Sequence, residues 1–217
     1  MKVALIGASG FVGSAILKEL LDRGHEVKAI VRDVAKVKAA GPNLKVAAAN
    51  ALNEDEVAAA VAGYEAVVSA YNPGWTNPDL YREFLQGAQA IQAGVKQAGP
   101  KRLIVIGGAG SLYVAEGVQA VDTPAFPNEW KAGATAARDY LHLLKQEKEL
   151  NWTFLSPAME MHPGTSGLRK GTYRTALENP VFNDEGRSIL SVEDLAVAVV
   201  DELERPKHQQ QRFTAAY

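Results

Sequence analysis

Three glycines near the start of the chain carry the strongest chemical signal. Gly7-Ala-Ser-Gly10-Phe-Val-Gly13 follows the apolar run Val3–Ile6 and leads into an amphipathic stretch that continues through Leu20. At a strand-to-helix turn the first glycine permits the tight bend, the second lets a pyrophosphate approach the backbone, and the third lets the helix pack close on the sheet. Gly7, Ser9, Gly10, Phe11, Val12 and Gly13 then form a cradle, with free N–H groups and the helix dipole facing an anion. The spacing is G-x-x-G-x-x-G rather than G-x-G-x-x-G. Glycines alone are explained as well by a turn that only needed flexibility; the strand–turn–helix context points to dinucleotide binding.

A second signal lies at the end of the next apolar run, Val27–Val31, where Arg32 follows. An acidic side chain near this place binds the ribose hydroxyls of NAD, whereas an arginine accommodates the 2′-phosphate of NADP. Asp33 is displaced by one residue, and Lys36 adds positive charge if it starts the following helix. A solvated surface arginine is the plainer alternative; the position favours NADP(H) over NAD(H). Metal chemistry has little support. The chain has no cysteine, and none of its four histidines pairs with another at metal-ligand spacing, so no metal is expected. His25, His142 and His208 read as surface positions, while His162, between Glu160-Met161 and Pro163-Gly164, is a candidate acid on a loop near the expected site.

These residues need a scaffold, and the pattern supplies one. Val3–Ile6, Val27–Val31, Leu44–Val46, Ala66–Ala70, Leu103–Ile106 and Trp152–Leu155 read as strands, several of them apolar nearly throughout, as in a parallel sheet covered on both faces. Helix-like stretches alternate with them. Asp79–Ala98 repeats Phe84, Ala88, Ile91 and Val95 on one face, and Asn53 with Glu56 reads as a capping box. Ser191 caps a helix with Leu195, Val199 and Leu203 as its buried stripe, Pro206 ends it, and Arg212–Tyr217 reads as a last strand. The expected architecture is a three-layer α/β Rossmann-type fold with a doubly wound, mainly parallel sheet. Residues 107–128 and 156–174 break the rhythm, and both follow the C-terminal ends of strands, where open α/β sheets bind ligands.

The 217 residues suit a single NAD(P)-binding domain, with a cofactor core mainly in 1–155 and substrate-covering elements in 108–130 and 156–190. A net charge of −2 offers no basic excess for a nucleic-acid backbone. Apolar runs stay far below the ~18 residues of a membrane span, and the N-terminus shows no uninterrupted apolar region of a signal peptide. A soluble, cytoplasmic protein is expected.

The chain resembles the atypical short-chain dehydrogenase/reductase family, in particular the small proteins similar to NADH-flavin reductases, biliverdin reductase B and NmrA-like regulators. The resemblance runs over essentially the whole chain. It rests on Gly7-Ala-Ser-Gly-Phe-Val-Gly13, Ala29-Ile-Val-Arg-Asp33, Ala66-Val-Val-Ser-Ala70, Leu155-Ser-Pro-Ala158 and Ile189-Leu-Ser-Val-Glu-Asp-Leu-Ala196. It implies that backbone near Ser69, Ala70 and Tyr71 follows the cofactor ribose and that Pro157-Ala158 lies near the nicotinamide. It also implies an adenine contact after the third strand, where Asn50-Ala51 stand in place of the family's aspartate.

The family's usual proton donor is missing. Carbonyl-reducing members use a Tyr whose pKa is lowered by a Lys four residues on. Tyr140 is followed at that spacing by Leu144, and alignment of the expected helix puts Trp130 and Ala134 in the two places. The family's serine region reads Gly107-Gly108, with Ser111 arriving later as a weak catalytic candidate. Sugar epimerase or dehydratase chemistry therefore has little support. A conjugated ring that delocalises charge and takes its proton from water asks only for binding, orientation and exclusion of solvent. The expectation is an NAD(P)H-dependent reductase of a small planar acceptor such as a flavin or quinone, with Trp75, Gly110, Ser111 and Met159 lining the acceptor side. Trp75 could equally cap the core. A non-catalytic NADP-binding redox sensor acting through a protein partner is the alternative.

Overall fold

The computed structural model describes residues 1–99 and 102–217. Ten strands and five α-helices alternate along it. They are β1 (Lys2–Ile6), α1 (Phe11–Asp22), β2 (Glu26–Val31), β3 (Leu44–Ala48), α2 (Glu54–Val61), β4 (Ala66–Ser69), α3 (Leu80–Gln97), β5 (Arg102–Ile106), β6 (Tyr113–Ala115), β7 (Val118–Gln119), α4 (Asn128–Leu144), β8 (Asn151–Ser156), β9 (Arg174–Ala176), α5 (Val192–Glu204) and β10 (Gln211–Ala216). Eight strands form one sheet in the order β3-β2-β1-β4-β5-β8-β10-β9, and all pair in parallel except β9, which runs antiparallel to β10. Strand order reverses between β1 and β4. The crevice at such a reversal is where doubly wound sheets take their ligand.

Side-chain alternation divides the core into two layers. In β1, Val3 and Leu5 point to the layer of α1 and α5, and Ala4 and Ile6 to the layer of α2, α3 and α4; all four are 0–3% exposed. Leu195, Val199 and Leu203 of α5 close the first layer, and the Ser191 hydroxyl caps that helix by accepting from the Asp194 N–H at 3.1 Å. Phe84, Ala88, Ile91 and Val95 of α3 fill the second. No helix among the described residues is long and apolar enough to cross a membrane.

Several local expectations need correction. The capping box at α2 is half formed: Asn53 accepts from the Glu56 N–H at 3.1 Å, but the Glu56 carboxylate turns to the Asn50 N–H at 2.8 Å. Lys36 ends a single 3-10 turn (Val34–Lys36) that Asp33 caps, rather than opening a helix. His25 is buried, 5% exposed, between the chain's N-terminal amine and Glu204, 2.9 Å from its Nε2. His208 is partly buried, stacked on Phe213 at 4.3 Å and paired with Glu202 at 2.8 Å. Residues 107–128 are built rather than loose, holding 3-10 turns at Ala109–Ser111 and Ala120–Asp122 with the β6–β7 hairpin between them.

Candidate functional site

The glycine turn is the best-defined part of the site, and its three glycines are needed for different reasons. Gly7 has φ +81°, a left-handed conformation, and a Cβ there would lie 2.5 Å from the Ala70 carbonyl oxygen. Gly13 sits where a Cβ would come within 2.1 Å of the Gly7 carbonyl oxygen, so α1 can meet the turn only without a side chain. Gly10 is unlike both. Its φ of −77° and ψ of 171° suit any residue, and a Cβ would meet only the Gly7 carbonyl oxygen at 3.4 Å. Nothing in the fold demands glycine there. The unfilled space lies at the N-terminus of α1, which has no side-chain cap and no acidic residue in its first turn. The first helical bond runs from Ser14 N–H to Gly10 C=O at 2.8 Å, so the N–H groups of Phe11, Val12 and Gly13 precede the ladder. A cradle that a side chain would fill, edged by amides unpaired among the described residues and bearing a positive helix end, fits a dinucleotide pyrophosphate.

Other residues expected at the site lie at the C-terminal ends of the parallel strands. Arg32 follows β2, is exposed, and makes no ion pair among the described residues. Asn50 and Ala51 follow β3; the Asn50 side-chain oxygen accepts from the Leu52 N–H at 3.1 Å, and Ala51 is buried. Ser69 ends β4, buried, and the Ala70 N–H bonds Ile6 C=O at 2.9 Å, which holds this backbone against the glycine turn. Tyr71 contributes backbone here and not its ring. The phenol donates to Glu83 C=O at 3.1 Å and lies against Gly87 and Phe84 of α3. Burial, with Glu83 adding negative charge, pushes its hydroxyl up to about 12. Pro157 and Ala158 follow β8 and are buried.

On the expected acceptor side the residues separate. Trp75 is 58% exposed with its six-membered ring on Gly133 of α4, where a Cβ would come within 2.7 Å, so it lies on the surface and does not cap the core. Trp130, in the first turn of α4, and Met159, after β8, are also exposed, while Ala134 is buried. Gly110 and Ser111 do not face solvent. A Cβ at Gly110 would lie 2.9 Å from Ala134 and 3.1 Å from Val121, so that glycine is for packing. Ser111 is 0% exposed, its hydroxyl bonded to Gly108 C=O at 2.9 Å and to the Ser156 hydroxyl at 3.0 Å. The 3-10 turn folds it inward, which removes it as an acid. His162 caps the turn Pro163–Thr165, with Nδ1 accepting from Gly164 N–H at 3.1 Å.

Sequence reasoning missed how residues 156–190 are fastened. The Asp194 carboxylate, at the start of α5, accepts the Lys170 and Gly171 N–H groups at 2.9 and 2.7 Å. Arg169 makes a two-pronged pair with buried Glu19 of α1 at 2.8 and 2.7 Å, and together with Arg23 it holds the Glu19 carboxyl below the ordinary range despite burial. Asp194 in the first turn of a capped helix is the one local signal that an anchor was present.

A family model described as NAD(P)H-binding matches residues 7–206. The Bacillus subtilis protein YwnB, itself uncharacterised, is 38% identical over 216 residues, covering 99% of this chain and 97% of its own. A crystal structure from Bacteroides thetaiotaomicron, provisionally named an epimerase, superposes with TM-score 0.92 at 45% identity, covering 100% of this chain and 96% of that one. One from Streptococcus pneumoniae, provisionally named an NADH-flavin reductase, gives 0.84 at 36% identity, covering 100% and 99%.

Proposed function

Because this chain belongs to the NAD(P)H-binding family and is an oxidoreductase of that group, we propose that it is an NADPH-dependent reductase of a planar, conjugated acceptor such as a flavin or quinone. A reduced nicotinamide, when bound, supplies the hydride. The chain's own part is to bind, orient and exclude water. Phe11, Val12 and Gly13 offer N–H groups to the pyrophosphate, Arg32 offers a guanidinium to the 2′-phosphate, and the backbone at Ser69–Ala70 and Pro157–Ala158 borders the rest. The observation that carries the reading is two exposed tryptophans at the start of α4, set against two tyrosines whose hydroxyls are already committed. Trp75 lies exposed on Gly133 and Trp130 stands exposed one helical turn before Ala134, while Tyr71 and Tyr140 are committed to Glu83 and Gln92. Burial pushes the Tyr140 hydroxyl well above the usual phenol range. Exposed indoles stack a planar ring and leave its protonation to water.

An NADPH-oxidation assay across flavins, quinones and tetrapyrroles tests this. Saturable turnover with at least one planar acceptor is expected. Tight NADPH binding with no oxidation by any of them would replace the reductase with a redox sensor that reports occupancy to a protein partner.

A further inference from the structure

A buried arginine far from the glycine turn gathers the two segments that cover the acceptor side. Arg212 lies in β10 opposite Phe154 of β8, on the α4 side of the sheet, and its side chain is 0% exposed. Its Nη1 donates to the Ser111 carbonyl at 3.0 Å, in the segment after β5. Its Nη2 pairs with the Glu178 carboxylate, in the segment after β9. The Ser111 carbonyl also accepts from Gln119 of β7 at 2.8 Å. The two segments bond each other directly as well, Tyr113 N–H to Glu178 C=O and Asn179 side chain to Tyr113 C=O, both at 2.9 Å.

Stability alone does not explain this arrangement. Burying a guanidinium carries a desolvation penalty that an apolar side chain of similar volume avoids. Here the compensation is incomplete, because Arg212 Nε is buried without a partner among the described residues, as is the Thr214 hydroxyl on the same strand. A charge kept at such a cost is better accounted for by the geometry it enforces. We propose that Arg212 is a positioning residue: it registers residues 109–122 and 174–180 as one unit, and through them sets the wall that the acceptor meets. The acceptor part rests on the reductase reading; the registration does not. Residues 167–171 have separate anchors on α1 and α5 and form an internal control.

The test combines hydrogen exchange with kinetics on the full chain, using Arg212→Met, Arg212→Lys and Glu178→Gln. Arg212→Met should raise exchange in 109–122 and 174–180 together by about tenfold or more, leaving 167–171 unchanged. NADPH affinity should stay within about twofold while the acceptor KM rises more than kcat falls, and Arg212→Lys should restore part of both effects. Should Arg212→Met fail to fold, Glu178→Gln, altered at a half-exposed carboxylate, should still loosen both segments to a lesser degree. Exchange that rises in one segment only, or in neither, overturns the proposal. Coupled exchange without turnover by any variant or the parent would instead remove the reductase reading and leave the registration standing.

Discussion

Replacing Gly10 separates a glycine needed by a ligand from glycines needed by the fold. Its backbone suits an L-residue, and a Cβ meets one atom at 3.4 Å. Gly→Ala at a compatible site gains about 0.4–1 kcal/mol by restricting the unfolded chain. Alanine is a poorer helix N-cap than glycine by a similar amount, so the net change should be near zero. Valine adds branches pointing into the cradle and should also leave the fold intact. The contrast is Gly13→Ala, whose Cβ would sit 2.1 Å from a backbone oxygen that cannot yield without moving the turn. Overpacking of that kind costs about 1–3 kcal/mol, or a Tm loss of about 2–12 °C in a chain of this size. On the binding side, Gly10→Val should displace the pyrophosphate from two or three amides. At about 1.5–3 kcal/mol per charged hydrogen bond, losing even two weakens NADPH by roughly 10²–10⁴-fold. Thermal unfolding with and without NADPH, beside calorimetric titration, reads both quantities. A Gly10→Val protein that melts like the parent and binds NADPH within a few-fold would refute the reasoning.

Three further outcomes are expected. Arg32→Ala should weaken NADPH by about tenfold and leave NADH unchanged, the modest figure reflecting an exposed side chain; equal losses for both cofactors would show that Arg32 does not read the 2′-phosphate. Trp75→Ala should raise the acceptor KM about two- to tenfold, the worth of one aromatic stack, without altering NADPH titrations; an unchanged KM would move the acceptor elsewhere. Glu147 is buried, which by itself raises its pKa, but N–H groups of Glu149 and Leu150 with Gln92 and Lys96 hold the carboxyl down at about 2. Its unfolded form takes up protons first, so this stabilisation is complete above about pH 4.5 and fades toward pH 2. Glu147→Gln should therefore flatten Tm against pH in that window, and parallel curves for variant and parent would contradict the assignment.

Much of the scaffold was legible because burial writes itself into composition. A strand covered on both faces, such as Val3–Ile6, must be apolar at successive positions, and a capped amphipathic helix such as Val192–Glu204 declares both its start and its stripe. The glycine spacing marked the turn, but the unequal duties of Gly7, Gly10 and Gly13 depend on atoms of Ala70 and of the turn itself. Where the sequence misled, the deciding partner was distant. His25 is buried by Glu204, 179 residues on, and Ser111 is met by Arg212, 101 residues on. A serine in a glycine-rich loop carries no local sign of that meeting. The hairpin and β9 are two or three residues per strand, too short for any period to show. One usable sign was present. Arg212 and Thr214 alternate with Phe213 and Ala215, which marks a polar face on a buried strand one in from the sheet edge.

The placement of β10 also constrains how the molecule is made. Residues 211–216 insert between β8 and β9, so during synthesis the edge of β8 stays open and β9 has no strand to join until those residues have emerged. The β1-to-β5 half, with its glycine turn, can assemble from earlier residues. Arg212, and with it the tie to Ser111 and Glu178, arrives only in this late segment. A nascent chain thus passes through a stage in which the β1-to-β5 half can form while the segments that Arg212 ties are still unfastened and the edge of β8 is unpaired.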